Sequence, residues 1–161
     1  MSNNEGCTPL YVTCERQQVE VAKILLQNNA NIDKTNNKGD SPLCAGKYSI
    51  SIIQFLIENK ANIESSNDEG ETPLHFACTT GKEEIVKFLI ENNADIEKST
   101  KNGNTPLYYA CQSGSSVVAH YLIENKANID TTNNDGCTLL WVASSKGHSE
   151  IVKYLIENKG D

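Results

Sequence analysis

His75 and Cys78, three residues apart in ETPLHFACTTGKEEIVKFLI (residues 71–90), are the pair best suited to chemistry in this 161-residue sequence. An imidazole and a thiol at that spacing could ligate a soft metal or act as base and nucleophile. A zinc site needs about four converging N, S or O ligands. The chain has only three histidines, His75, His120 and His148, and no C-x-x-C. A second candidate is TTNNDG at 131–136, which sets Asn133, Asp135 and Gly136 in the order of a calcium loop. Val142 stands where the closing bidentate Glu belongs, and Phe76 holds that place in the matching earlier loop, so both read as turns. Glu83 and Glu84 lie beside Lys87 and read as a solvated helix face rather than an acid–base pair. No phosphate-binding glycine loop, G-x-S-x-G or H-E-x-x-H occurs. No catalytic residue, metal site or cofactor is therefore assigned.

Net charge is -7 at pH 7, which opposes non-specific attraction to nucleic acid or an anionic membrane surface. The longest apolar stretches, such as IIQFLI at 52–57, are too short to cross a bilayer. Hydrophobic content of 38% with 22% charged residues fits a folded, soluble protein. The cysteines read as free thiols, and no basic-then-apolar leader or N-x-S/T sequon is present. These features point to a reducing compartment, the cytoplasm first and the nucleus as well.

The elements that would carry these side chains repeat. Gly6, Gly39, Gly70, Gly103 and Gly136 are spaced by 33, 31, 33 and 33 residues and are followed by CTPL, DSPL, ETPL, NTPL and CTLL. Such a period marks one supersecondary unit per repeat. Tyr11, Tyr108 and Trp141 stand in the column of His75, with Cys44 the nearest candidate in the second unit; Cys14, Cys111 and Ser144 stand in that of Cys78. Columns of aromatic and small half-apolar residues are what packing between units produces.

Within residues 71–97, Thr72-Pro73 opens a helix, the Thr72 hydroxyl positioned to accept the N–H of His75. Gly81 ends it near Thr80. A second helix over about Lys82–Asn92 turns Ile85, Val86, Leu89 and Ile90 to one face and Glu83, Glu84, Lys87 and Glu91 to the other. Alternating Ala94-Asp95-Ile96-Glu97 then leads to a tight turn at Asn102-Gly103. Helices this short need neighbours, so the units must stack.

The TPLHxA start, the glycine between helices, the E-I-V-K-x-L-I second helix and the A-D/N-I-D/E exit resemble the ankyrin repeat. The resemblance covers residues 6–159 and recurs five times. It implies an all-α solenoid of stacked helix-turn-helix pairs with projecting β-hairpin-like loops, and a local hydrogen-bond network between Thr72 and His75. Residues 1–161 are expected to form one such domain, with repeats starting near Asn4, Asn37, Asp68, Lys101 and Asn134.

Four irregularities carry expectations. The 31-residue spacing places a two-residue deletion between Leu43 and Tyr48. The first helix of repeat two should be short or distorted, with Tyr48 where Gly81 sits in repeat three; a tolerated defect is favoured over a flexible point or a binding dent. Asn29, Lys60, Asn93, Lys126 and Lys159 follow the second helices, where left-handed backbone is needed. Thr13 and Gln17 suggest a more polar outer side at the first repeat, as in a cap. Ile151, Val152, Leu155 and Ile156 keep the internal pattern in the last repeat, which suggests exposed apolar surface and a fragment of a longer array.

The resemblance assigns recognition to a concave surface of loop tips and first helices. Its candidate partner-binding residues are Lys38, Asp40, Asp68, Glu69 and Glu71; Lys101, Asn102, Asn104, Asn134 and Asp135 on the later loops; and Thr79, Thr80, Gln112, Ser113 and Lys146 on the helices. The acidic strip Asp40, Asp68, Glu69 and Glu71 suits a basic segment of a partner protein. The expected function is a non-enzymatic, monomeric protein-interaction module. Alternatives are the targeting part of a larger enzyme or channel, or a structural array that self-associates end to end.

Overall fold

A computed structural model of the chain describes residues 2–158. Among the described residues ten helices form five pairs: α1 Pro9–Glu15 with α2 Val19–Gln27, α3 Pro42–Ala45 with α4 Ile50–Glu58, and α5 Pro73–Thr80 with α6 Glu83–Glu91. α7 Pro106–Ser113 pairs with α8 Ser116–Glu124, and α9 Leu139–Ser145 with α10 Ser149–Asn158. First helices pack on first helices and second on second along the chain, as a stacked array requires. Among the described residues, strand pairing is limited to one isolated antiparallel bridge, Thr132 to Thr138.

Each first helix begins where a hydroxyl meets an orphan N–H. The side chains of Thr8, Ser41, Thr105 and Thr138 accept from the backbone N–H of Tyr11, Cys44, Tyr108 and Trp141. Thr72 and His75 instead cap each other reciprocally. Proline at the first helical position wastes no donor in α1, α3, α5 and α7.

The core is the sum of the columns that recur. Leu10, Leu43, Leu74 and Leu107 from the first helices are fully buried, as are Leu56, Leu89 and Leu122 from the second. Each such side chain contributes about 1.5–3 kcal/mol of burial. Cys14, Cys78 and Cys111 are buried between first helices, and all six cysteines are free thiols. Burial pushes the Cys14 and Cys111 thiols up to about 12, and Cys78 higher still.

Repeat two departs as the deletion requires. α3 has only 4 residues against 8 in α5, and Lys47, Tyr48 and Ser49 replace the five residues from Cys78 to Lys82. Tyr48 does not take the conformation of Gly81: the turn runs through Gly46 at φ -73, with the Ser49 N–H bonded to the Gly46 carbonyl at 2.9 Å. Two fewer residues leave no room for a left-handed residue there, whereas Gln17 adopts φ 59 at the corresponding turn of repeat one.

The ends also differ from expectation. Thr13 lies inside, its hydroxyl donating to the Pro9 carbonyl at 2.7 Å, while α2 exposes Val21 and Ile24. At the other end the expected exposed apolar surface is present but narrower: Ile156 is exposed and Val152 half-buried, with Trp141 also exposed, whereas Ile151 and Leu155 are buried. Position 159, expected to be left-handed, lies outside the described residues.

Candidate functional site

The loops between pairs are built by asparagine. Asn36 Oδ1 accepts the N–H groups of Lys38 and Asp40, both at 2.9 Å. Asn67 does the same for Glu69 and Glu71, and Asn3 and Asn133 for their own loops; Thr100 substitutes in the fourth. Each tip then stacks on the previous one by a backbone bond: Asn37 N–H to Glu5 O, Asp68 N–H to Lys38 O, Lys101 N–H to Glu69 O and Asn134 N–H to Asn102 O, at 2.9–3.0 Å. The close approach demands glycine: a Cβ on Gly39, at φ +80, would meet the Asp68 nitrogen at 2.8 Å.

A second ladder joins the helix exits. Asp33 Oδ1, Glu64 Oε1 and Glu97 Oε1 accept the N–H groups of Asn62, Asp95 and Asn128 in the following unit, at 2.9, 2.8 and 2.7 Å. In the sequence these acids are only the polar half of an alternation. Their regular recurrence two residues after the exit alanine-Asx pair is the signal that could have exposed them.

Of the candidate contact residues, Lys38, Asp68, Glu69, Lys101, Asn102, Asn134 and Asp135 project from the tips and are exposed. Thr79, Gln112, Ser113 and Lys146 are exposed on the helix side and Thr80 is half-buried. The hydroxyls of Thr79, Thr80 and Ser113 bond to backbone carbonyls of their own helix, and Ser113 also to the Cys78 carbonyl of α5. Asp40, Glu71 and Asn104 are half-buried scaffold members. Asp40 Oδ1 accepts from Asn67 Nδ2, Glu71 accepts from Asn67 and from the Tyr109 hydroxyl at 2.8 Å, and Asn104 Oδ1 accepts from Asn133. Burial, reinforced by the Glu71 carboxylate, holds the Tyr109 phenol well above its ordinary range.

His75 is fully buried in this scaffold. Its Nδ1 faces the Thr72 N–H at 3.0 Å and the Thr72 hydroxyl at 2.8 Å, so Nδ1 is the acceptor and the proton sits on Nε2, 3.3 Å from the Asn104 carbonyl. Burial lowers its pKa, partly offset by the Asn104 carbonyl and Glu71. The ring also meets Tyr109 edge-on, centroids 5.3 Å apart. Among the described residues no group of three or more His, Cys, Asp or Glu side chains is placed to hold a metal ion.

Three depressions adjoin on the tip and first-helix side of the first three units. One of about 530 Å³ lies between the first two loops, one of about 470 Å³ is lined by Lys38, Asp40, Asp68, Glu69, Glu71 and Phe76, and one of about 270 Å³ lies at the shortened α3. Tyr11 borders two of them; burial and then the Asp40 carboxylate push its phenol up to about 12.

The family model for ankyrin repeats (3 copies) matches residues 43–133 and 94–161, and the single ankyrin repeat model matches residues 5–37. The chain belongs to the ankyrin repeat family. Ankyrin repeats are in general protein–protein interaction modules. No curated protein matches this ankyrin repeat chain. None of its described helices is long and apolar enough to cross a membrane.

Proposed function

We propose that the chain is a non-catalytic module that binds a partner protein through the tips and first helices of its repeats, and that the partner contributes a basic segment. The observation that carries this reading is the run of adjoining depressions over the first three units. Six carboxylates line it, Glu5, Glu15, Asp40, Asp68, Glu69 and Glu71, against the three cations Arg16, Lys38 and Lys47. The stacked, mutually bonded tips hold the backbone that carries these side chains in place, so little backbone entropy is lost on binding. A local excess of negative charge steers a basic partner and raises its association rate.

Asp68 and Glu69 are the free carboxylates of the strip, since Asp40 and Glu71 also hold the loops together. The test is a calorimetric titration with a synthetic peptide of alternating Arg, Lys and Gly. The double variant Asp68→Lys, Glu69→Lys should weaken binding at least tenfold at low salt while leaving the urea midpoint near that of the parent. Equal affinity in the two proteins overturns the reading.

A further inference from the structure

The dent at α3 exists because repeat two lacks the last turn of its first helix. In repeat three, Cys78, Thr79 and Thr80 continue the helix beyond Ala77; in repeat two the helix stops at Ala45 and the chain leaves through Gly46. What is left open between α1 and α5 is a depression of about 270 Å³ with Tyr11, Tyr48 and Phe76 on its walls, Cys44 and Ala45 at its base, and the carboxylates of Glu15 and Asp40 beside them. Tyr48 is 53% exposed, so its ring faces solvent and not the core.

A cation already lies against these rings. Lys47 Nζ is 4.9 Å from the Phe76 ring centroid and 5.6 Å from that of Tyr48, both within reach of a cation–π attraction. Lys47 has no carboxylate within ion-pair distance among the described residues, although Glu15 and Asp40 line the same depression. Its ammonium is held by ring faces alone, on a flexible stem, and is displaceable.

We propose that this dent is a socket for one arginine side chain of the partner's basic segment, and that Lys47 is its resident lid. This inference rests on the proposed function and names the part of the segment that is read. A guanidinium suits the socket better than an ammonium. Its plane stacks on an aromatic face while its edge donates to a carboxylate, whereas an ammonium is a single compact charge with a costlier hydration shell. Asp40 keeps capacity for such a bond: each of its oxygens accepts one asparagine N–H, from Asn67 and Asn36, and a carboxylate offers about four lone-pair sites. The socket also adjoins the acidic depression through Asp40 and Phe76, which line both, so one extended segment reaches the two together.

The experiment uses N-acetyl-arginine methylamide and N-acetyl-lysine methylamide as probes, with NMR shifts of the Tyr11, Tyr48 and Phe76 ring resonances as readout. The arginine probe should shift these rings saturably and bind several-fold tighter than the lysine probe. Phe76→Leu should weaken it about two- to fivefold, the size of a partly exposed cation–π contact. Lys47→Ala should tighten it by a similar factor. Lys47→Met removes the charge but keeps a stem over the rings, and should tighten it less. Tyr48→Ala, at an exposed position, provides a second weakening variant independent of Phe76 packing. Equal binding of the two probes, or equal effects of Lys47→Ala and Lys47→Met, overturns the socket. If the basic peptide still binds in an Asp68- and Glu69-dependent manner in that case, the socket alone fails; if that binding is also absent, the interaction reading itself falls.

Discussion

His75 in α5 donates its Nε2–H to the carbonyl oxygen of Asn104, 29 residues further along and at the start of the next unit. The opposite ring nitrogen accepts from Thr72, so one neutral imidazole caps its own helix and ties two repeats together. Protonation at Nδ1 would break the bond accepted from Thr72 and place a charge in a fully buried site. Because burial lowers the folded-state pKa, the unfolded chain takes up this proton first as pH falls. The contribution of His75 to stability is therefore complete above its unfolded pKa of about 6.5 and declines below it. Urea midpoints measured from pH 7.5 to 5 should fall more steeply in the parent than in His75→Gln, and His75→Ala should cost about 1–3 kcal/mol at pH 7.5. Parallel pH profiles for parent and His75→Gln would show that the folded ring takes up its proton as readily as the unfolded one, so that burial does not lower its pKa.

Asn67 bonds four ways: Oδ1 receives the N–H groups of Glu69 and Glu71, and Nδ2 donates to Asp40 and Glu71. It fixes the third loop and joins it to the second. Asn67→Ala removes one donor from each of the half-buried Asp40 and Glu71 carboxylates and the acceptor of the Glu69 and Glu71 N–H groups, and the expected loss is about 1–3 kcal/mol. The same variant should weaken binding of the basic peptide even though Asp68 and Glu69 are intact, because their loop is no longer held. Unchanged stability would mean that water replaces all four bonds.

The repeat period, caps and buried columns were legible because they are local: a Thr-Pro pair, a glycine and a 3.6-residue apolar spacing each act within one or two turns. The ladders joining units were not. Asp33, Glu64 and Glu97 look in sequence like any solvated acid, and their acceptor role depends on a neighbour 29 or 31 residues away. For the same reason Asp40 and Glu71 read as free charges while the structure places them in the loop scaffold. The deletion was legible as a count but not as a shape. Which residue would turn the chain, Tyr48 or Gly46, depended on how much helix the missing residues removed.

Thiol reactivity should follow burial. Cys14, Cys78 and Cys111 are fully buried between first helices, with thiol pKa values far above neutrality, and Cys44 is pushed up to about 11 chiefly by burial. Cys137 is the most exposed cysteine of the array. Maleimide at pH 7 should label Cys137 first and give a single adduct by intact mass, with the other sites reacting only in denaturant. Early labelling at Cys78 would show that the third and fourth units separate under native conditions.

Lys126 sits at φ 71 just past the Asn125 cap of α8, and Lys60 repeats the arrangement at φ 69 past the Asn59 cap of α4. Left-handed backbone brings a Cβ against the carbonyl, costing about 1–2 kcal/mol for an ordinary L-residue and almost nothing for glycine. The Lys126 N–H donates to the Ile123 carbonyl, and Ala127 N–H to the Leu122 carbonyl, so the conformation is locked by the helix-end bonds. Lys126 is exposed and has no ion-pair partner among the described residues, so its side chain contributes little in return. Glycine also gains entropy in the unfolded chain, which offsets part of the relief. The net expectation for Lys126→Gly is stabilisation by roughly 0.5–1 kcal/mol, read as a higher urea midpoint at unchanged slope. Lys126→Asn, a residue that tolerates the left-handed region, should recover part of that gain, and Lys126→Val, β-branched and least compatible with it, should lower the midpoint below the parent.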